Sequence, residues 1–135
     1  MFTAASAKLL VAALLTAGCA LARAADLYVI CNAHVSLSPA DVRDLFLGEK
    51  QFAGAVKLVP VDNGAAQTMF LGKVLQMNLA KYSTTWTKKS FRDGLNPPLV
   101  AGSDAEALAM VKRTPGACSY VTTLAGVDVV VVSKQ

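Results

Sequence analysis

The alternation of short β-branched runs with capped amphipathic helices predicts a three-layer α/β domain, a mixed and mostly parallel sheet flanked by helices. Three observations carry this reading. Strand-like runs begin at Asp26, Lys57, Ala117 and Val127, helical periodicity with start and stop signals fills the gaps, and the 111 residues after a leader-like first 24 leave room for one core.

Asp26-Leu-Tyr-Val-Ile-Cys31 reads as a buried strand closed by Asn32. Ser38 is an N-cap candidate and Pro39 suits the first helical position. Val42, Leu45 and Phe46 then form one apolar face before Gly48 stops the helix. Lys57-Leu-Val-Pro-Val61 returns to strand character, with Pro60 marking an edge or the end of a ladder. A helix with Phe70, Val74 and Met77 on one face follows. Asn78 caps the next, in which Tyr82 and Trp86 stand one turn apart as core residues, and Gly94, Asn96, Pro97 and Pro98 end it near Phe91. Ser103-Asp-Ala-Glu106 is a capping box for a helix with Leu108 and Val111 inward, stopped by Pro115-Gly116. Ala117 to Thr122 and Val127 to Val132 complete the sheet. The last run is so continuously apolar that it reads as covered on both faces.

Residues 1–24 have the pattern of a secretory signal peptide: Lys8 in a short n-region, an apolar run from Leu9 to Leu21, and small residues at Ala22 and Ala24. The expected location is the periplasm, with residues 25–135 as a single lobe. Leu15-Thr-Ala-Gly-Cys19 approaches a lipoprotein site, but Thr16 replaces the usual Leu and disfavours a lipid anchor at Cys19. Without Lys8 and Arg23 the 13 basic residues fall to 11 against 9 acidic ones, a net charge of +2, which excludes the basic stripe that nucleic-acid binding needs. Cys31 and Cys118 are either a disulfide or two buried thiols, and sequence leaves both open.

Catalytic chemistry finds little support. His34 is the lone histidine and has no acidic partner at a recognisable spacing, so no enzyme is expected. Asp41 and Asp44 read as helix surface, and Lys88, Lys89 and Arg92 as a solvated face. No metal-type or cofactor-type spacing occurs. The remaining candidates are loops that follow strands, where open α/β sheets bind ligands. Asn32 and Ala33 form one. Asp62, Asn63, Gly64, Ala65, Ala66, Gln67 and Thr68 form the other, with small residues that admit a ligand close to the backbone.

Val29-Ile-Cys-Asn32, Leu37-Ser-Pro-Ala-Asp-Val-Arg-Asp-Leu-Phe-Leu-Gly48, Leu58-Val-Pro-Val-Asp62, Trp86, Phe91, Gly94 with the Pro pair, and Thr114-Pro-Gly-Ala-Cys-Ser-Tyr-Val121 occur in that order. Together they resemble the phosphate-transporter type of periplasmic substrate-binding protein, over nearly the whole chain after residue 24. The resemblance implies one lobe of a type 2 periplasmic-binding fold, phosphate or another small oxyanion as ligand, and an ABC transporter or another periplasmic protein as partner. It also implies a departure. The family loop Asp-Gly-Ser-Gly-Thr falls on Asp62 to Ala66, where only the Asp is kept, and the family's Arg falls near Pro60. The hydroxyl and guanidinium contacts that tighten anion binding are therefore missing. Backbone N–H groups from Gly64 to Gln67, with the Gln67 and Thr68 side chains, are the expected donors. A lone lobe binds weakly unless a homodimer or a partner closes it. The alternative reading is an accessory or sensory interaction module that has lost its ligand.

Overall fold

The computed structural model describes residues 25–124 and 128–135, so the leader pattern and Val127 lie outside the described residues. Strands β1 (Tyr28–Asn32), β4 (Val59–Asn63), β5 (Leu99–Ala101), β6 (Ala117–Val121) and β7 (Val129–Lys134) form one sheet in the order β5-β4-β6-β1-β7. β2 (Phe52–Ala53) and β3 (Val56–Lys57) make a separate hairpin. Within the large sheet β4, β5 and β6 are parallel, β1 runs against β6, and β7 runs against β1. Four strands thus share a direction and β1 opposes them, and helices cover both faces.

Alternation along the strands divides the core. Val29, Cys31, Cys118 and Tyr120 pack with Val42, Leu45, Phe46, Phe70, Leu75, Tyr82 and Trp86 on the face covered by α1 (Asp41–Phe46), α2 (Gln67–Phe70) and α3 (Leu79–Asp93). Ile30, Val61, Ala117 and Val121 pack with Ala107, Leu108 and Val111 of α4 (Asp104–Arg113) on the other. Burying such side chains stabilises by about 1.5–3 kcal/mol each, which is why both faces are sealed.

Helix signals match the structure well. The Asn78 side chain accepts from the Lys81 N–H at 2.8 Å, and α3 closes at Gly94 in the left-handed region. Ser103 Oγ accepts from Glu106 N–H at 3.2 Å, while the Glu106 carboxylate reaches back to the N–H of Gly102 rather than that of Ser103. At α1 the roles are reversed: the Asp41 carboxylate accepts from both the N–H and the hydroxyl of Ser38, so Ser38 and Pro39 form a turn ahead of the helix. The segment expected as one helix through Met77 is α2 followed by a π-helical turn at Leu71–Leu75, ended by Gln76 at φ 54°. The wider turn keeps Leu71 and Leu75 buried.

One expectation fails outright. Among the described residues β7 is an edge strand, paired with β1 alone, with Val130 40% and Val131 45% exposed. Continuous hydropathy in Val129–Val132 reflects β-propensity at an edge, not burial on two faces. Pro60 sits where β4 has β6 beside it before pairing with β5 begins at Val61, so its missing N–H falls at a ladder end as expected.

Cys31 and Cys118 are direct partners in the β1–β6 register and form a disulfide with Cα atoms 4.0 Å apart. Gly116 has φ +83°, and a Cβ there would collide with the Lys57 carbonyl oxygen. The chain ends of the domain also meet: Leu27 and Gln135 exchange two backbone hydrogen bonds, of 3.0 and 2.8 Å. No helix among the described residues is long and apolar enough to cross a membrane.

Candidate functional site

β4 delivers two polar side chains to opposite faces of the sheet. Asp62 points toward α3 and Asn63 toward α4, as period-two alternation requires. Asp62 is 2% exposed, yet it lines a groove of about 480 Å³ between α3 and the Pro97–Val100 segment. The Tyr82 hydroxyl donates to Oδ2 at 2.8 Å and the Tyr120 hydroxyl to Oδ1 at 2.9 Å. Tyr120 is held by stacking on Phe70, with centroids 3.9 Å apart and an interplanar angle of 6°, and Phe46 meets both rings. Tyr82 and Trp86 are both buried in the core, as their helical spacing suggested.

Burial pushes the Asp62 carboxyl above its ordinary range, and the two hydroxyl bonds offset part of that rise. Burial, together with the Asp62 charge, raises both tyrosines far above the usual phenol range. Among the described residues no Lys or Arg pairs with Asp62. Two of the three basic residues near the C-terminal end of α3 are paired otherwise: Lys89 is buried beside Gly48 and pairs with Glu49 at 2.7 Å, and Arg92 pairs with Asp93. Lys89 thereby departs from the expected solvated face, since Gly48 leaves room for its stem.

Asn63 organises the loop beyond β4. Its Nδ2 donates to Asp104 Oδ1 at 2.7 Å and to the Tyr120 carbonyl at 2.9 Å, while its Oδ1 accepts from Ala65 N–H. Asp104 gathers further donors from the backbone and hydroxyls of Thr122 and Thr123. Its partial burial opposes ionisation, but the bonds from Thr122, Asn63 and Thr123 outweigh it and hold the carboxyl below the usual range.

Of the backbone donors expected from Gly64 to Gln67, the first three are already engaged. Gly64 N–H donates to Ala101 O, Ala65 N–H to Asn63 Oδ1, and Ala66 N–H to Asn63 O. An Asx turn and a parallel ladder bond to β5 use them up. Gln67 lines the groove with Asp62, whereas Thr68 is exposed outside it. Asn32 and Ala33 lie at the opposite end of the sheet. Cys31 is level with Cys118 and Pro60, at the start of β4 and β6, because β1 runs against them. The Asn32 amide donates to the carbonyls of Val111 and Lys112, closing the C-terminal end of α4, and its Oδ1 accepts from His34 N–H. The two loops therefore share no site within this chain, and the strand-end rule does not extend to β1.

Sequence reading missed Tyr120, which holds Asp62 from the buried side, and Val100, which lines the groove. Alternation through Ala117–Val121 signalled Tyr120, since it puts that ring on the Cys118 face; three-residue β5 carried no comparable signal. No group of three or more metal-ligating side chains occurs among the described residues. The chain matches no known protein-family model, and no curated protein matches it.

Proposed function

We propose that this chain is an exported, stand-alone lobe of the phosphate-transporter type of substrate-binding protein, receiving phosphate or a similar small oxyanion in the Asp62 groove. The motif order over residues 29–121 supports the family, and the three-layer arrangement is compatible with one lobe of its type 2 periplasmic-binding fold. The observation that carries the site is a buried carboxylate on the floor of an open groove, with Gln67 beside it. With no cation lining the groove, an oxyanion enters only if it brings a proton that it can donate to Asp62. Protonated phosphate meets that condition at neutral pH and sulfate does not. Open geometry keeps binding weak until a transporter, another periplasmic protein or a second copy covers the groove. The buried disulfide fits an oxidising compartment such as the periplasm.

Thermal unfolding of the purified protein in millimolar phosphate, sulfate and chloride tests this. Phosphate at 100 times its dissociation constant stabilises by about 2.7 kcal/mol. A midpoint unmoved by phosphate and by other protonated oxyanions sinks the oxyanion reading.

A second reading, an accessory or sensory interaction module, is favoured by the rim of the same groove. Leu79 at 55%, Phe91 at 89% and Val100 at 61% exposure form an apolar border of the kind that partner proteins cover.

A further inference from the structure

We propose that the outer edge of β5 and the adjoining Asp62 groove together dock an extended segment of a partner protein, whose arginine side chain lies across Val100 and places its guanidinium on Asp62. This rests on the interaction-module reading and names the chemistry of the partner.

The edge supplies the main-chain half. β5 is the terminal strand of the sheet and pairs with no described strand other than β4, and its Leu99 and Val100 are each 61% exposed. Such an edge carries backbone donors and acceptors that an incoming strand completes.

Register supplies the side-chain half. Val100 is the direct partner of Asp62 across β4 and β5, and both line the groove. A strand added outside β5 puts the residue opposite Val100 in the same row, two strand spacings or about 10 Å from the Asp62 backbone. An extended arginine spans that row. Its hydrocarbon stem covers the exposed Val100 while its planar head reaches the carboxylate.

The groove's chemistry selects a cation. None of its lining side chains is basic, and Asp62 is the only charged one. Each Asp62 oxygen holds one tyrosine hydroxyl and retains a further lone pair. The Ser90 hydroxyl, on the same wall, is buried without a hydrogen-bond partner, and Phe91 offers an open ring face for a guanidinium. The described residues of a second copy offer no such segment, since Arg43, Arg92 and Arg113 all sit in helices.

The test titrates the full-length protein with an acetylated, amidated pentapeptide Val-Thr-Arg-Thr-Val, the same peptide with glutamine for arginine, and an arginine peptide N-methylated along its backbone. The arginine peptide should bind at least tenfold tighter than the glutamine one, lose that margin on Asp62→Asn, and weaken on N-methylation. Equal affinity of the arginine and glutamine peptides for the unmodified protein overturns the proposal without relying on any variant. So does a margin that survives Asp62→Asn, or no binding at millimolar peptide. Phosphate stabilisation without arginine-peptide binding overturns the docking proposal and leaves the oxyanion reading standing; arginine-selective binding without a phosphate effect supports docking and removes the oxyanion reading alone.

Discussion

The Asp62 carboxylate and the Tyr120 hydroxyl, 58 residues apart in the chain, meet at 2.9 Å beneath a stacked aromatic pair. That bond and its Tyr82 counterpart hold a charge where burial opposes it, and the balance depends on pH. The native carboxyl titrates above its ordinary value of 3.8, so between the two values the folded state binds more protons than the unfolded one. The Asp62 contribution to stability is therefore full below pH 3.8 and is lost as pH rises through the native value. Asp62→Asn, which keeps the shape and removes the charge, should raise the unfolding midpoint at pH 8, with a margin that closes toward pH 4. Midpoints measured across that range by circular dichroism decide it; a constant margin contradicts a buried titrating Asp62.

Tyr120→Phe keeps the ring stack and deletes one donor. Leaving Asp62 Oδ1 buried and unsatisfied should cost about 1–3 kcal/mol at neutral pH. In an Asp62→Ala background the same substitution should cost less, because the acceptor is gone. A double-mutant cycle by urea unfolding gives the coupling, and additive losses would mean that the Tyr120 hydroxyl contributes independently of Asp62.

Asp104 behaves with the opposite sign. Its carboxyl is held below the ordinary value, so its contribution is present at neutral pH and fades as acid protonates the native group. Asp104→Asn should destabilise by about 1 kcal/mol at pH 7, a modest figure because the side chain is partly solvated. Chemical shifts of the Asn63 side-chain amide should move with it, since that amide donates to Asp104 at 2.7 Å.

Removing the Cys31–Cys118 bridge by a double Ala substitution should cost about 2–5 kcal/mol, the usual value for a native bridge. Its loop spans 87 residues. Mass spectrometry without reduction, before and after alkylation, checks the bridge itself, and alkylation of Cys31 and Cys118 in the folded protein contradicts it.

Gly116→Ala should destabilise by about 1–3 kcal/mol, because a left-handed φ of +83° and the Lys57 carbonyl both oppose a side chain. Gly54→Ala, equally left-handed but in open space, separates the two causes: the difference in their losses measures the collision.

Local signals located elements well and directions poorly. Asn78, Gly94 and Ser103 mark helix ends through bonds to their own neighbours in sequence, so their chemistry is written into short stretches. Strand direction is set by which strands pair, and nothing in Tyr28–Asn32 records that it opposes β4. That single unknown separates Asn32 and Ala33 from the Asp62 groove. The π turn at Leu71–Leu75 and the three-residue β5 were likewise invisible, being products of packing rather than of periodicity. The position of Asp62 near a strand end was legible in the sequence. Its tyrosine partners were not, since they arrive from 20 and 58 residues away.

Pulled apart by its two ends, this domain would peel rather than shear. Leu27 and Gln135 are paired at the seam of β1 and β7, so tension opens that ladder one rung at a time from its outer end. Peeling then halts at Cys31, where β1 is bonded covalently to β6 in the middle of the sheet. The molecule is mechanically compliant along one edge and locked at its centre, so a load on its termini loosens β7 well before it disturbs β4, Asp62 or the groove.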